Sequence, residues 1–228
     1  MLAFFLSYDK ILINRHTNGV SMRFFKENSY DVVRLYVNQF GITIFSLILY
    51  FSASIVADEA WRLTIYLLIS VFSTLFFYAL IYYTAWEFGG KDRIRIDAGR
   101  MEYNKFKGLY LGLLAGVPNL ILSVFSILGK SLYMITGAGF FDLLFAIPNV
   151  LLRFTSAMYM GALKYLFNPL DASVADLMFL WQSIGFLVLT VLGALVVHFG
   201  YYMGHGCYHI MDFFRAKGAA SEKETNKK

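Results

Sequence analysis

The stretch EFGGKDRIRIDAGRMEYNKFK, residues 87–107, decides the fold because it is a short basic segment between long apolar runs. Its six basic residues are Lys91, Arg93, Arg95, Arg100, Lys105 and Lys107. Short basic loops beside membrane segments mark the cytoplasmic side of a membrane protein. The stretch therefore predicts a cytoplasmic loop that fixes the orientation of the chain. Charged and apolar residues alternate over residues 93–96, which predicts contact of this loop with anionic lipid headgroups.

The composition indicates a polytopic helical membrane protein. Of the 228 residues, 58% are hydrophobic and 15% are charged, whereas soluble domains average about 45–50% apolar and roughly 25% charged residues. The net charge of +5 comes from residues that flank apolar runs, so it predicts membrane topology and lipid contacts rather than nucleic-acid binding. The single cysteine, Cys207, excludes a disulfide within the chain.

Four apolar runs are long enough to cross a bilayer, which takes about 20 residues in a helix. They cover residues 35–57, 63–86, 108–128 and 177–203, and none contains Asp, Glu, Lys or Arg. The first two runs are separated only by residues 58–62, so they predict an antiparallel hairpin. We expect one transmembrane domain over residues 33–205, preceded by a cytoplasmic or interfacial arm, residues 1–32, and followed by a cytoplasmic tail, residues 206–228.

Residues 131–167 are apolar but carry a narrow polar stripe. On a helix at about 100° per residue, five polar side chains fall within roughly 60° of one direction. They are Asp142, Asn149, Arg153, Ser156 and Lys164. The stripe predicts one helix, about residues 138–166, that lies along or dips into the outer leaflet. This gives four full spans with both chain ends in the cytoplasm. The alternatives are a fifth span, or a fold at Pro148 into two short spans.

Three glycines in the third apolar run predict a close helix–helix contact. Gly108, Gly112 and Gly116 are four residues apart, and such stripes of small residues let two helix backbones approach each other. Packing within the chain is the favoured interpretation, and a dimer seam is the alternative.

A Pro-Asn pair occurs in two similar segments, LLAGVPNLIL at residues 113–122 and LLFAIPNVLL at residues 143–152. Pro118-Asn119 and Pro148-Asn149 interrupt their helices at matching places. Paired interruptions of this kind supply binding groups in transporters. The plainer interpretation is that both prolines only kink their helices, while the asparagines satisfy the freed carbonyl groups.

Catalytic motifs are missing from the sequence, and we assign no catalytic residue and no cofactor. His198, His205 and His209 share one helical face, where aligned imidazoles can ligate a metal or haem. Neighbouring glycines weaken this helix and companion ligands are few, so an interfacial polar face is the favoured interpretation and no metal site is assigned.

The sequence thus predicts a multi-pass protein of the cell membrane with three functional hypotheses. The first is a non-enzymatic subunit or accessory protein that packs against a membrane partner or a second copy. The second is a small-solute transporter or channel that uses the Pro-Asn segments, together with Asp142, Arg153 and Lys164. The third is a metal- or haem-dependent redox protein. The expected partner in every case is a bilayer with anionic headgroups, and not nucleic acid.

Overall fold

A computed structural model describes the backbone of residues 2–167 and 175–206, and the side chains of residues 28–167 and 175–206. Every regular element in these ranges is helical. In chain order they are α1 (Leu2–Ala53), α2 (Glu59–Asp97), α3 (Lys107–Thr136), α4 (Gly139–Thr155), a 3₁₀ turn (Ala157–Tyr159), α5 (Met160–Leu166) and α6 (Ala175–His205). The predicted all-helical membrane fold is confirmed.

Four helices in the described ranges are long and apolar enough to cross a membrane. They are α1 over Asn28–Ala53, α2, α3 and α6, in agreement with the four predicted spans. The structure is compatible with a multi-pass membrane protein. A fifth apolar element, α4 with α5, is bent by 90°.

Helices α1 and α2 form the predicted antiparallel hairpin, although its turn precedes the predicted one. Helix α1 ends at Ala53, and Asp58 caps α2 by accepting hydrogen bonds from the backbone N–H groups of Ala60 and Trp61. An Asp at this position satisfies two of the backbone donors that have no partner in the first helical turn. The turn therefore covers residues 54–58, and residues 59–62 belong to α2.

Helix α2 extends eleven residues beyond the predicted span, to Asp97, because its charges are spaced for a helix. Three ion pairs link residues three or four apart: Lys91 with Glu87, Arg93 with Asp97, and Arg95 with Asp92. Such pairs stabilise a helix. The predicted loop of residues 87–107 is therefore wrong for residues 87–97. The alternating pattern over residues 93–96 does not give two opposite faces, since those residues are helical.

Helix α6 runs antiparallel to α3 and parallel to α2, which gives the bundle two distinct ends. Ala194 packs on Gly112 near the start of α3, and Asp176 pairs with Lys130 near the end of α3. Arg93 of α2 lies beside the last residue of α6, His205. We name the end with residues 87–107 the basic end. The other end, with the turns at residues 54–58 and 137–138, is named the turn end.

The α4–α5 pair enters the bundle from the turn end and returns to it. Gly137, with a left-handed φ of 67°, ends α3, and α4 begins two residues later. At the other limb, the Lys164 ammonium of α5 lies 5.7 Å from the centre of the Tyr66 ring, near the start of α2. Between the limbs, the Thr155 carbonyl reaches Thr43 of α1. Thr43 lies ten residues before the end of α1, or about 15 Å below the turn end.

This re-entrant pair corrects the prediction of one straight helix over residues 138–166. The helix ends at Thr155, and the chain turns by 90° before α5. Pro148 lies inside α4 and is not the bending point. Because both limbs are at the turn end, the α4–α5 pair does not add a crossing, and the number of spans stays even. The start of α1 and the end of α6 therefore lie at the same end of the bundle, the basic end.

The two predicted flanking segments differ in what the structure describes. Helix α1 already begins at Leu2, so the predicted arm of residues 1–32 continues into the first span as one helix. Residues 207–228 of the predicted tail, including His209, lie outside the described residues.

Candidate functional site

The tip of the re-entrant pair is a stretch of broken helix whose backbone groups bond to side chains of other helices. The first of them is the Thr155 carbonyl at the end of α4. It accepts hydrogen bonds from Gln39 Nε2 at 3.2 Å and from Thr43 Oγ1 at 2.9 Å, both on α1. Non-helical backbone persists at membrane depth only where its polar groups have such partners. Two donors therefore hold one freed carbonyl.

Helices α1 and α2 also supply partners for the other side of the tip. The Met158 carbonyl accepts from Ser70 Oγ at 2.6 Å and from Thr74 Oγ1 at 3.3 Å. The Gly161 N–H donates to the Tyr50 hydroxyl at 3.1 Å. Ser70 lies eleven residues into α2, or about 16 Å from its start. The break therefore lies inside the bundle and well away from the turn end.

The tip is buried as deeply as the core of the bundle. Ala157, Met158 and Tyr159 are each at most 2% exposed. Gly161 admits the close approach of α5 to α2, because a Cβ there would overlap the Tyr66 carbonyl. Ser156 Oγ is buried and has no hydrogen-bond partner among the described residues. The tip is thus a built feature of the interior and not a surface loop.

A cavity of about 30 Å³ lies beside the tip, where α1, α2, α3 and α6 meet. Its polar lining consists of Gln39, Asn119, Tyr159 and Thr190. Asn119 is 2% exposed, and its Oδ1 has no hydrogen-bond partner among the described residues. One water molecule needs roughly 10–15 Å³ of such space. The cavity therefore has room for about two water-sized groups, and the Asn119 carbonyl offers them an acceptor.

The two Pro-Asn pairs lie in different surroundings. Pro118 is exposed on α3 and Asn119 lines the cavity. Pro148 is buried in α4, and Asn149 accepts a hydrogen bond from the side chain of Arg153. The two asparagines are thus not equivalent, and only the first faces the cavity.

Arg153 lies in the last turn of α4, with its guanidinium between α4 and α6. Its Nε donates to Asn149 Oδ1 at 3.0 Å, and its Nη2 donates to Gln182 Oε1 at 2.9 Å. Gln182 is held in turn, because its Nε2 donates to the Phe167 carbonyl at 2.9 Å. The polar stripe therefore turns inward at Arg153 and is not directed into lipid.

The ends of the predicted stripe do not meet Arg153. Asp142 is exposed in the first turn of α4, eleven residues from Arg153, which is about 16 Å along the helix. Lys164 is exposed on α5, beyond the bend, and lies over Tyr66. The structure therefore gathers Asn149, Arg153 and Gln182 and separates them from the other two charges.

The predicted glycine stripe of α3 contacts α6 of the same chain. A Cβ at Gly108 would lie 2.6 Å from the Tyr201 Cβ, and one at Gly112 would lie 2.7 Å from the Ala194 Cα. At Gly116 the nearest atom would be the Thr190 Cγ2, at 3.0 Å. All three glycines therefore serve one helix–helix contact within the chain.

A second set of glycines, not predicted to form a contact, joins α2 to α6. A Cβ at Gly89 would overlap the Tyr201 carbonyl, and one at Gly204 would overlap the Trp86 carbonyl. At Gly200 it would lie 2.6 Å from the Tyr82 carbonyl. Four-residue spacing of Gly200 and Gly204 was the sequence signal for this contact. The glycines bring the two backbones into direct contact at the basic end.

A buried ion pair, also missed, lies next to these glycines. Lys107 Nζ is 2.6 Å from Asp92 Oδ2, and these residues are 5% and 2% exposed. The Tyr201 hydroxyl donates to the same oxygen at 2.9 Å, while Arg95 lies 3.4 Å from the other one. We name Asp92, Arg95, Lys107 and Tyr201 the basic-end cluster. It joins α2, the start of α3 and the end of α6.

The six basic residues of the opening stretch therefore have different surroundings. Lys107 is buried against Asp92 and does not reach lipid headgroups, contrary to its predicted role. Lys91 pairs with Glu87, which also holds Arg34 of α1 at 2.7 Å. Arg93 and Arg95 are paired within α2. The exposed turn after α2 carries the remaining two, Arg100 and Lys105.

The two histidines of α6 lie against aromatic rings of the segment that precedes α3. His205 lies with its ring centre 4.2 Å from that of Tyr103, and His198 lies 6.2 Å from Phe106. Within residues 28–167 and 175–206, no group of three or more His, Cys, Asp or Glu side chains is placed to hold a metal ion. His209, the third predicted candidate, lies outside the described residues.

Comparison of the chain with protein-family models, with curated proteins and with solved structures finds no match. Its function therefore has to be argued from the geometry of the bundle.

Proposed function

We propose that this chain is a small-solute or ion transporter or channel, with its site at the tip of the re-entrant pair. The observation that carries the proposal is the position of the broken helix beside a polar cavity, about 16 Å inside the bundle. We take this depth to be near the midplane of a bilayer about 30 Å thick. Interrupted helices near the bilayer midplane are the usual means by which transporters present polar groups to a solute. Asn119 supports this role, because it lines the cavity and its buried Oδ1 has no hydrogen-bond partner within the part of the chain that the structure describes.

The rival hypothesis of an accessory subunit loses one of its supports. That support was the alternative interpretation of the glycine stripe, in which the stripe is a seam for a second helix from outside the chain. Gly108, Gly112 and Gly116 contact α6 instead, so that face of α3 is already covered within the chain.

Reconstituted vesicles test the proposed function directly. Purified full-length protein is placed in liposomes, and fluxes of sodium, potassium, ammonium, chloride, acetate and phosphate are followed with entrapped dyes. We expect flux of at least one of these probes above protein-free vesicles.

Asn119→Leu should remove that flux, because it replaces the acceptor in the cavity with an apolar group. Gly41→Ala is the control, since a Cβ at Gly41 meets nothing within 4 Å. Fluxes equal to protein-free vesicles for all six probes contradict the proposal.

We further propose that the basic end faces the cytoplasm and contacts anionic headgroups. Arg100 and Lys105 are exposed there, and basic residues beside spans favour the cytoplasmic side. A reporter fused after Lys228 checks the orientation. Fluorescence of a cytoplasmic reporter supports it, whereas activity of alkaline phosphatase at that position contradicts it.

A further inference from the structure

Arg153 differs from the other basic side chains on the inside of the bundle. Arg34, Lys107 and Lys130 each lie within 2.7 Å of a carboxylate oxygen, from Glu87, Asp92 and Asp176. No ion pair among the described residues includes Arg153. Its hydrogen bonds go to the amide oxygens of Asn149 and Gln182. These groups orient the cation and partly solvate it, but they do not neutralise it.

The two amides leave part of the guanidinium open to another acceptor. Arginine has five N–H donors in a planar fork, and the two bonds from Nε and Nη2 use two of them. The fork matches the two oxygens of a carboxylate or phosphate group, which it binds in a bidentate manner. Because Gln182 is itself fixed by the Phe167 carbonyl, the guanidinium is oriented before any anion arrives.

The depth of Arg153 makes an unneutralised charge costly. Gln182 lies seven residues into α6, about 10 Å from its start at the turn end. Ionisable groups at such depths in membrane proteins normally face a partner or a pathway and mark a functional site. Asp142, the acidic residue on the same helix, is three turns away and exposed, so it does not supply the missing charge.

We propose that the Arg153 guanidinium, between α4 and α6, binds an oxyanion of the carboxylate or phosphate class. If the oxyanion is the transported solute, this inference rests on the proposed function. The existence of the binding site does not depend on that function. The oxyanion comes from a free anion that reaches the site from the turn end or from the phosphate of a lipid headgroup.

Thermal stability of the full-length protein in an uncharged detergent tests the site. Inorganic phosphate and acetate are titrated at constant ionic strength, with chloride as the balancing anion. A ligand that binds only the folded protein raises Tm by roughly 3–5 °C for each tenfold excess over its Kd. We expect a saturable rise with the wild type and no rise with Arg153→Gln. Arg153→Lys keeps the charge without the fork, so its response should be weaker, and it serves if the glutamine variant does not fold.

A second titration separates the two sources of the anion. Phosphatidylglycerol added to the detergent should raise Tm through Arg153 if the ligand is a lipid phosphate, whereas inorganic phosphate or acetate should do so if it is a free anion. Either response supports the site when Arg153→Gln removes it. A rise of equal size in Arg153→Gln, or no rise with any of the three probes, overturns the proposal.

Asp171 provides the necessary control, because it lies outside the described residues and close in sequence to Phe167. If Asp171 neutralises Arg153, then Asp171→Asn should lower Tm and create a response to added anions that the wild type lacks. That result overturns the proposal for the native chain. If Asp171→Asn responds as the wild type does, the proposal stands. Anion binding without flux in vesicles contradicts the transport function alone, whereas flux of cations without anion binding contradicts this site alone.

Discussion

The two ends of the bundle are held together by different chemistry. At the basic end, glycines bring α2, α3 and α6 into backbone contact, and the basic-end cluster links the same helices. In the half near the turn end, single hydroxyl and amide groups of α1 and α2 bind the broken backbone of the re-entrant pair. At the basic end, removing one member of the ion pair leaves a buried charge, and adding a methyl group to a glycine leaves that group without space. At the tip, the Thr155 and Met158 carbonyls each have two donors, so the loss of one donor leaves the other in place. The basic end should therefore be the less tolerant region.

Lys107→Met is the largest expected loss, because it leaves the Asp92 carboxylate buried without its ammonium partner. Removing one member of a buried pair costs about 3–5 kcal/mol, and here Tyr201 and Arg95 moderate the loss only in part. The free energy of unfolding in detergent measures it. Adding Asp92→Asn to the variant should restore much of the stability, since the uncompensated charge is then gone.

Lys91→Met is the matched control. The Lys91 side chain, which pairs with Glu87, is 53% exposed, and such surface pairs contribute about 0–1 kcal/mol. Equal losses in the two lysine variants would remove the distinction between buried and surface pairs at this end.

Gly204→Ala should have the next largest effect, because its Cβ would overlap the Trp86 carbonyl. A backbone carbonyl cannot move aside as a flexible side chain does, so α2 and α6 must separate. Overpacking of this kind costs about 1–3 kcal/mol. Melting of the purified protein checks the loss. Gly41→Ala, where the added Cβ meets nothing within 4 Å, should instead be neutral or slightly stabilising. If the Tm of Gly204→Ala equals that of the wild type, the two backbones are not in direct contact.

Ser70→Ala tests the tip and should cost about 1 kcal/mol. The Met158 carbonyl would keep only the longer bond from Thr74, at 3.3 Å, and a lost hydrogen bond is worth roughly 0.5–1.5 kcal/mol. Ser52→Ala is a suitable control, since the Ser52 hydroxyl is exposed and bonds only to the carbonyl four residues earlier in its own helix. A difference in unfolding free energy between the two variants supports the role of Ser70. If they behave alike, the tip does not depend on this donor.

The sequence predicted the parts of this fold that rest on local patterns. Uncharged runs of 21 or more residues located the four spans, and charge parity favoured a helix that lies along or dips into one leaflet over a fifth crossing. The bend at Ser156 was missed because the polar stripe continues past it at regular helical spacing. The groups that stabilise the bend, such as Thr43 and Ser70, lie about 90 residues or more away in the chain. Only the helical spacing of polar residues within the first two uncharged runs hinted at a buried polar face.

The same distinction explains what was missed at the basic end. Asp92 and Lys107 were both expected in a cytoplasmic loop that contacts lipid headgroups, since the second span was expected to end at residue 86. Once α2 continues to Asp97, Asp92 turns toward α6 and meets the start of α3. The position of Arg153 was predictable as a polar stripe. Its partner Gln182 was not, because that contact joins two helices 29 residues apart in sequence.

The smallest expected effects concern the two donors on the Thr155 carbonyl, and they test whether the tip is redundant by design. Gln39→Leu and Thr43→Val each remove one donor and leave the other, at 2.9 Å or 3.2 Å. Hydrogen bonds between membrane helices average about 0.6 kcal/mol, so each single variant should lose no more than this. The double variant leaves a carbonyl buried inside the bundle without either of these donors, and a buried unsatisfied group costs about 1–3 kcal/mol. The loss in the double variant should therefore exceed the sum of the single losses, and unfolding free energies of the four proteins measure the excess. Strict additivity would mean that the carbonyl finds another partner, such as water from the nearby cavity. The re-entrant pair would then be a hydrated element instead of a dry, side-chain-capped one.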